Sequence, residues 1–185
     1  MTTMRRILKA IMVRALALFF TLILNLTLQS TVFNYIEIIG IKPNTAVLVV
    51  VSYAILRGDT EGAAAGFFAG LLQDCFFGEI IGMNALFYMA VGYMCGKPFK
   101  DFFHENIFFP LLLGSISILF YGHVIYLTNF LFRGKLDFFY YFSRIILPET
   151  VYTVALTAPV YRAVYALNNR LEKRERIKRM LFKEE

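Results

Sequence analysis

Cysteine is scarce. Cys75 and Cys95 are the two in 185 residues, and they stand apart. They form no CxxC pair and no zinc-like spacing, so they define neither a metal framework nor a redox motif. The chain also lacks GxxxxGK[ST], HExxH and GxSxG. A phosphate-cradling loop, a zinc-protease helix and a nucleophile elbow therefore have no residues to build on. Charge is missing over several runs of roughly the 20 residues that a membrane-crossing helix needs. In its place are apolar residues, 58% of the chain, with aromatics at 17%. That share exceeds a soluble domain's and is spread along the whole length. The expected class is all-α, an integral membrane protein of one domain.

The net charge of +6 gathers at the two ends. Basic flanks on membrane spans explain this more simply than nucleic-acid binding does.

Glycine is placed at a fixed pitch. In the stretch Arg57 to Leu86, Gly58, Gly62, Gly66, Gly70, Asp74, Gly78 and Gly82 recur every fourth position. On a helix these residues share one face. A row of glycines there lets another backbone approach, the small-xxx-small device of membrane helices. Plain packing is the simpler reading for Gly62, Gly66 and Gly70. Gly78 and Gly82, beyond Asp74, suit a turn, so the register need not be one helix.

Taken in order, the chain reads as six spans. The first is about Ile11 to Val32, too long and without a small-residue cleavage site for a signal peptide. Pro43 fits a helix's first turn, and Asn44 can hydrogen-bond locally there. A short second span, about Thr45 to Leu56, needs neighbours, a thin crossing or a partly re-entrant course. The charged turn Arg57 to Glu61 is expected in water. The third span is about Gly62 to Phe77, the fourth about Ile80 to Gly96, the fifth about Pro110 to Phe132. The sixth, about Ile145 to Leu167, contains Pro148 and Pro159, either of which can kink it. Residues 168–185 form a basic helical tail suited to anionic lipid, with Glu172–Arg176 and Glu175–Arg179 as i,i+4 pairs.

Polar residues within apolar runs are the candidates for a site. Asn25, Thr27 and Gln29 either bond a neighbouring helix, face headgroups or serve a ligand. His104 beside Glu105 reads as a plain loop residue before it reads as a titrating or metal-binding one. His123 reads as a neutral interhelical hydrogen-bonding group before a functional one. Glu149 either makes a buried partner contact or reaches headgroups. Asp74 and Glu149 would serve a proton relay only if their helices brought them together, which spacing does not establish. No nucleophile, base and orienter can be identified together, so no enzyme, cofactor or metal site is expected.

The positive-inside rule sets the orientation. With both ends cytoplasmic, Arg5, Arg6, Lys9, Arg14, Arg57, Lys97, Lys100, Arg162 and the tail lie inside. Lys42, Arg133, Lys135 and Arg144 lie outside. Asp74 and the Pro43–Asn44 turn then face outward.

These features together resemble one family, MreD, the rod-shape-determining membrane proteins of bacteria. The resemblance rests on chain size, the N-terminal span and Pro43-Asn44 opening the second. It rests further on RGDTEGAAAGFFAGLLQDCFFGEIIGMNAL and the fourth span ending GYMCGKPF. The specific part is G-x-x-x-G-x-x-x-D-x-x-x-G-x-x-x-G, Gly66 to Gly82. The resemblance implies a non-enzymatic scaffold of the cell-elongation machinery in the inner (plasma) membrane. MreC is the implied direct partner; the RodA glycosyltransferase, its transpeptidase, RodZ and MreB are implied associates. The residues assigned to helix packing or partner contact are Gly62, Gly66, Gly70, Asp74, Gly78, Gly82, Pro43, Asn44, Pro148 and Glu149. The family is also similar in fold to substrate-binding subunits of energy-coupling-factor transporters. That similarity implies an alternative, a vitamin-like-molecule-binding subunit, for which Tyr53, Tyr88, Tyr93 and Asn84 could line a pocket.

Overall fold

The computed structural model describes residues 2–35, 41–78, 80–97, 108–128 and 138–181. These are helical: α1 (Thr2–Tyr35), α2 (Thr45–Arg57), α3 (Asp59–Phe77), α4 (Met83–Gly96), α5 (Phe108–Tyr126) and the short α6 (Phe138–Tyr141). A π-helical turn, Phe142–Ile146, then leads into α7 (Leu147–Leu181). His104, Glu105, Lys100, Arg133 and Lys135 lie outside the described residues.

The fold is arranged around α2. Twelve of its 13 residues are buried, from Thr45 to Arg57 with Tyr53 the exception. A helix apolar on all sides stays in place only when neighbours cover every face. Here α1, α3, α4, α5 and α7 supply the cover. At about 1.5 Å per residue α2 is about 20 Å long, short of the ~30 Å hydrocarbon layer. Its ends are set by local chemistry. Asn44 caps the start, its side-chain oxygen accepting the Val47 N–H at 3.4 Å. Gly58 closes it at φ 95°, donating its N–H to the Ala54 carbonyl at 2.8 Å. That left-handed conformation is open to glycine at little cost. α3 starts at once, with Asp59 and Glu61 in a first turn where the helix dipole favours acids.

Two expectations differ from what the backbone does. The fourth helix begins at Met83, not near Ile80, because Gly82 sits at φ 98° and cannot belong to a right-handed helix. The turn at Arg57 is not wholly in water. Arg57 is buried at the α2 terminus, while Thr60 is exposed.

Two helices, Met12–Val32 within α1 and Phe108–Tyr126, are long and apolar enough to cross a membrane. Exposed on the outside of the bundle are large apolar side chains of α1 (Leu16, Phe19, Phe20, Leu24) and of α3 and α4 (Phe68, Phe76, Leu86, Met94).

Candidate functional site

The glycine row of α3 lies against the backbone of α4. The two helices run antiparallel, and each step of four along α3 meets a step of four back along α4. A Cβ on Gly62 would fall 2.7 Å from the Gly92 carbonyl oxygen and 2.6 Å from the Ala54 Cβ of α2. One on Gly66 would collide with the Tyr88 carbonyl, and one on Gly70 with the Asn84 carbonyl. From the other side, Gly92 meets the Gly62 carbonyl, and a Cβ on Gly96 would fall 2.5 Å from the Asp59 nitrogen. No real side chain approaches so closely. Gly62 and Gly92 therefore face one another inside the α3–α4 hairpin, while Gly66 and Gly70 face the backbone of Tyr88 and Asn84.

Asp74 closes the hairpin at the other end. The residue is 2% exposed. Oδ2 accepts the N–H groups of Gly82 (2.8 Å) and Ala85 (3.1 Å), and Oδ1 that of Asn84 (3.1 Å). These are donors that a helix start leaves without intrahelical partners. The carboxylate also sits at the positive end of the α4 dipole. Burial of the charge is thus compensated by three charge-assisted bonds. Gly78 packs back on Asp74, where a Cβ would fall 2.7 Å from its Cα.

Asn44 ties three helices together nearby. Its N–H donates to Thr153 Oγ1 on α7 at 3.2 Å. Its side-chain oxygen accepts the Tyr88 hydroxyl of α4 at 3.1 Å as well as the Val47 N–H. Tyr88 is fully buried and its ring lies 5.8 Å from that of Tyr121 on α5. Glu149 lies within electrostatic reach of Tyr88, Tyr121 and Tyr141. Asp74 is also within reach of Tyr121. Pro43, Asn44, Asp74, Gly78, Gly82, Pro148 and Glu149 therefore gather at one end of the bundle. Gly62, Gly66 and Gly70 run down its interior.

Pro148 is the second residue of α7, directly after the π turn. That turn already carries a five-residue bond, with Leu147 donating to the Phe142 carbonyl. The missing proline N–H thus falls where the ladder is already shifted. Pro159 lies inside α7.

Other candidates have local partners. Asn25 donates to Thr45 at 3.0 Å, linking α1 to α2. Thr27 bonds the Ile23 carbonyl of its own helix. His123 Nδ1 lies 2.7 Å from the Leu119 carbonyl, with Phe138 and Phe142 beside the ring. The groups proposed for a vitamin pocket spread out. Asn84 and Tyr93 are nine residues apart on α4, about 13 Å along the axis. Tyr93 is exposed and lies under the Lys97 ammonium, 5.6 Å from its ring centroid. Among the described residues no group of three or more His, Cys, Asp or Glu side chains could hold a metal ion.

Sequence reasoning passed over Thr153 and put Arg57 in water, but the structure buries it. Thr150, Thr153 and Thr157 share one buried stripe of α7, and their i, i+3, i+7 spacing was a usable signal.

The family model described as rod shape-determining protein MreD matches residues 4–171. No curated protein and no solved structure matches the chain.

Proposed function

The chain belongs to the MreD family, a membrane-associated family with a role in rod shape determination, and from that premise we propose a multi-pass, non-enzymatic scaffold of the cell-elongation machinery. In this reading it spans the inner membrane six times with both ends in the cytoplasm. It binds the single span of MreC and through it supports the RodA glycosyltransferase and its transpeptidase. RodZ and MreB meet it from the cytoplasmic side.

The observation that carries the scaffold reading is the direction of the glycines. They are used up in joining α3 to α4, which leaves the opposite, aromatic faces of that hairpin outward. Phe67, Phe68, Phe76, Phe77, Leu86 and Met94 stand exposed there. Close packing and a few polar contacts would hold a partner helix, each contact worth about 0.6–2 kcal/mol. A rigid hairpin with an aromatic outer face suits docking. Some polar groups of the interior bond one another, as Asn44, Tyr88 and Thr153 do.

The test is co-purification from native membranes in mild detergent, followed by mass spectrometry. Recovery of an MreC-type protein, lost on Phe68→Ala plus Phe76→Ala with thermal stability unchanged, supports the reading. Recovery of a bound metabolite or an ATPase module in its place supports the transporter alternative.

A further inference from the structure

We propose that the tail of α7 carries a docking face for an acidic surface with an apolar centre on a cytoplasmic protein, set beyond the reach of lipid. This deepens the scaffold reading above and rests on its placement of both ends in the cytoplasm.

α7 is a single helix from Leu147 to Leu181. α2 runs beside it in the same direction. Asn44 meets Thr153, and one turn on, a Cβ on Gly114 of α5 would touch both Leu48 and Thr157. α7 therefore leaves the bundle at the end where α2 stops, at Arg57. Tyr161, Val164 and Asn168 are buried at successive turns, so the bundle fixes the helix axis as far as Asn168. From Val160 to Leu181 there is no proline or glycine at which it could turn aside. Leu147 to Leu167 covers about 30 Å, the depth of the hydrocarbon layer. Residues 168–181 continue for about 20 Å more. The headgroup layer adds roughly 5–8 Å on each side, so the tail stands in water from about Arg174 onward. Anionic lipid, which its composition suits, meets only the first turns.

The helical register separates the tail's acids from its apolar residues. Ile177, Met180 and Leu181 fall on one face, at the i, i+3, i+4 spacing of an apolar contact stripe. Lys173 and Arg174 precede them on that face, and Lys173 is exposed. Arg176 and Lys178 take its two edges, while Glu172 and Glu175 fall on the opposite side with Arg179. An apolar stripe in water, rimmed by cations, complements an acidic surface with an apolar centre. Residues 168–181 hold six basic and two acidic side chains, so a second copy of the same helix would be repelled.

The experiment is photo-crosslinking of the full chain in living bacterial cells. Benzoylphenylalanine is placed at Ile177, at Leu181 or, on the opposite side, at Glu175, and each adduct is identified by peptide sequencing. Ile177 and Leu181 should both join the same cytoplasmic protein, at a stretch of net negative charge. Their yield should exceed that at Glu175 by at least about fivefold. Lys173→Glu plus Arg174→Glu should cut the yield at least about tenfold, with the thermal stability of the bundle unchanged. Replacing the mapped acids of the partner by Lys should restore it. Equal yields from the two sides overturn the proposal, as do adducts with lipid alone, with a second copy or with another segment of the same chain. So does a yield unchanged by the charge reversal, or no adduct at all. Active alkaline phosphatase fused after Glu185 would instead sink the cytoplasmic placement of the tail, and with it the six-span reading.

Discussion

The carboxylate of Asp74 accepts the backbone N–H of Gly82 at 2.8 Å across a turn of eight residues. Gly82 is the N-cap position of α4 and has no side chain to cap it. The preceding helix supplies the cap instead, so α3 and α4 are joined by a polar clasp at one end. Their glycines allow close contact along the rest.

Replacing that clasp should loosen the start of α4. Asp74→Ala leaves three donors without their acceptor, those of Asn84 and Ala85 buried, and should cost about 2–3 kcal/mol. Asp74→Asn keeps one acceptor oxygen and should lose less. Thermal unfolding in detergent gives the size of the loss. Hydrogen exchange at Gly82 to Ala85 gives its location. Unchanged exchange there in Asp74→Ala would show that the cap is dispensable.

Glycines of the same row should respond differently to alanine. At Gly66 the new methyl meets the Tyr88 carbonyl, part of a backbone that cannot step aside alone. The two helices must separate, at a cost of about 3 kcal/mol or more. At Gly82 nothing lies within 4 Å, and the penalty comes from φ 98° alone, about 1–2 kcal/mol. Ala64 faces outward, and Ala64→Leu should stay within about 0.5 kcal/mol of wild type. Similar losses at Gly66 and Gly82 in thermal unfolding would contradict the backbone-contact account.

The glycine face was legible in the sequence because a period of four needs no knowledge of the partner. So was the start of α2, since Pro43 and Asn44 act within one turn of chain. The role of Asp74 was not. It depends on the antiparallel register of two helices, and the sequence shows only that an acid ends a glycine row. Arg57 was misplaced for a related reason. A charged residue in a tight turn argues for water, and only the convergence of α1, α2 and α3 buries it. The π turn before Pro148 leaves no local signature beyond the proline itself. The link from Asn44 to Thr153 spans 109 residues and was likewise out of reach.

Asn44 and Tyr88 should be energetically coupled. Tyr88→Phe removes the hydroxyl donor and leaves the ring packed against Phe87 and Tyr121. A double-mutant cycle with Asn44→Ala should give about 0.5–1.5 kcal/mol of interaction, the worth of one buried hydrogen bond. Thr153→Val removes the acceptor of the Asn44 backbone N–H, a donor that Asn44→Ala keeps, so its loss should add to that of Asn44→Ala. Additive losses for Tyr88→Phe and Asn44→Ala in unfolding free energy would mean that their side-chain bond contributes nothing beyond packing.

Reporter fusions should separate six crossings from two. If α1 and α5 alone crossed the membrane, a fusion after Tyr35 and one after Lys97 would lie on the same side. In the six-span arrangement α2, α3 and α4 intervene, and the two fusions lie on opposite sides. Alkaline phosphatase should therefore be active after Tyr35 and after Gly78, and inactive after Gly58, after Lys97 and after Glu185. The distribution of Lys and Arg favours this outcome, because Arg14, Arg57 and Lys97 then share the cytoplasmic side. Active phosphatase after Lys97 would place α4 on the wrong side.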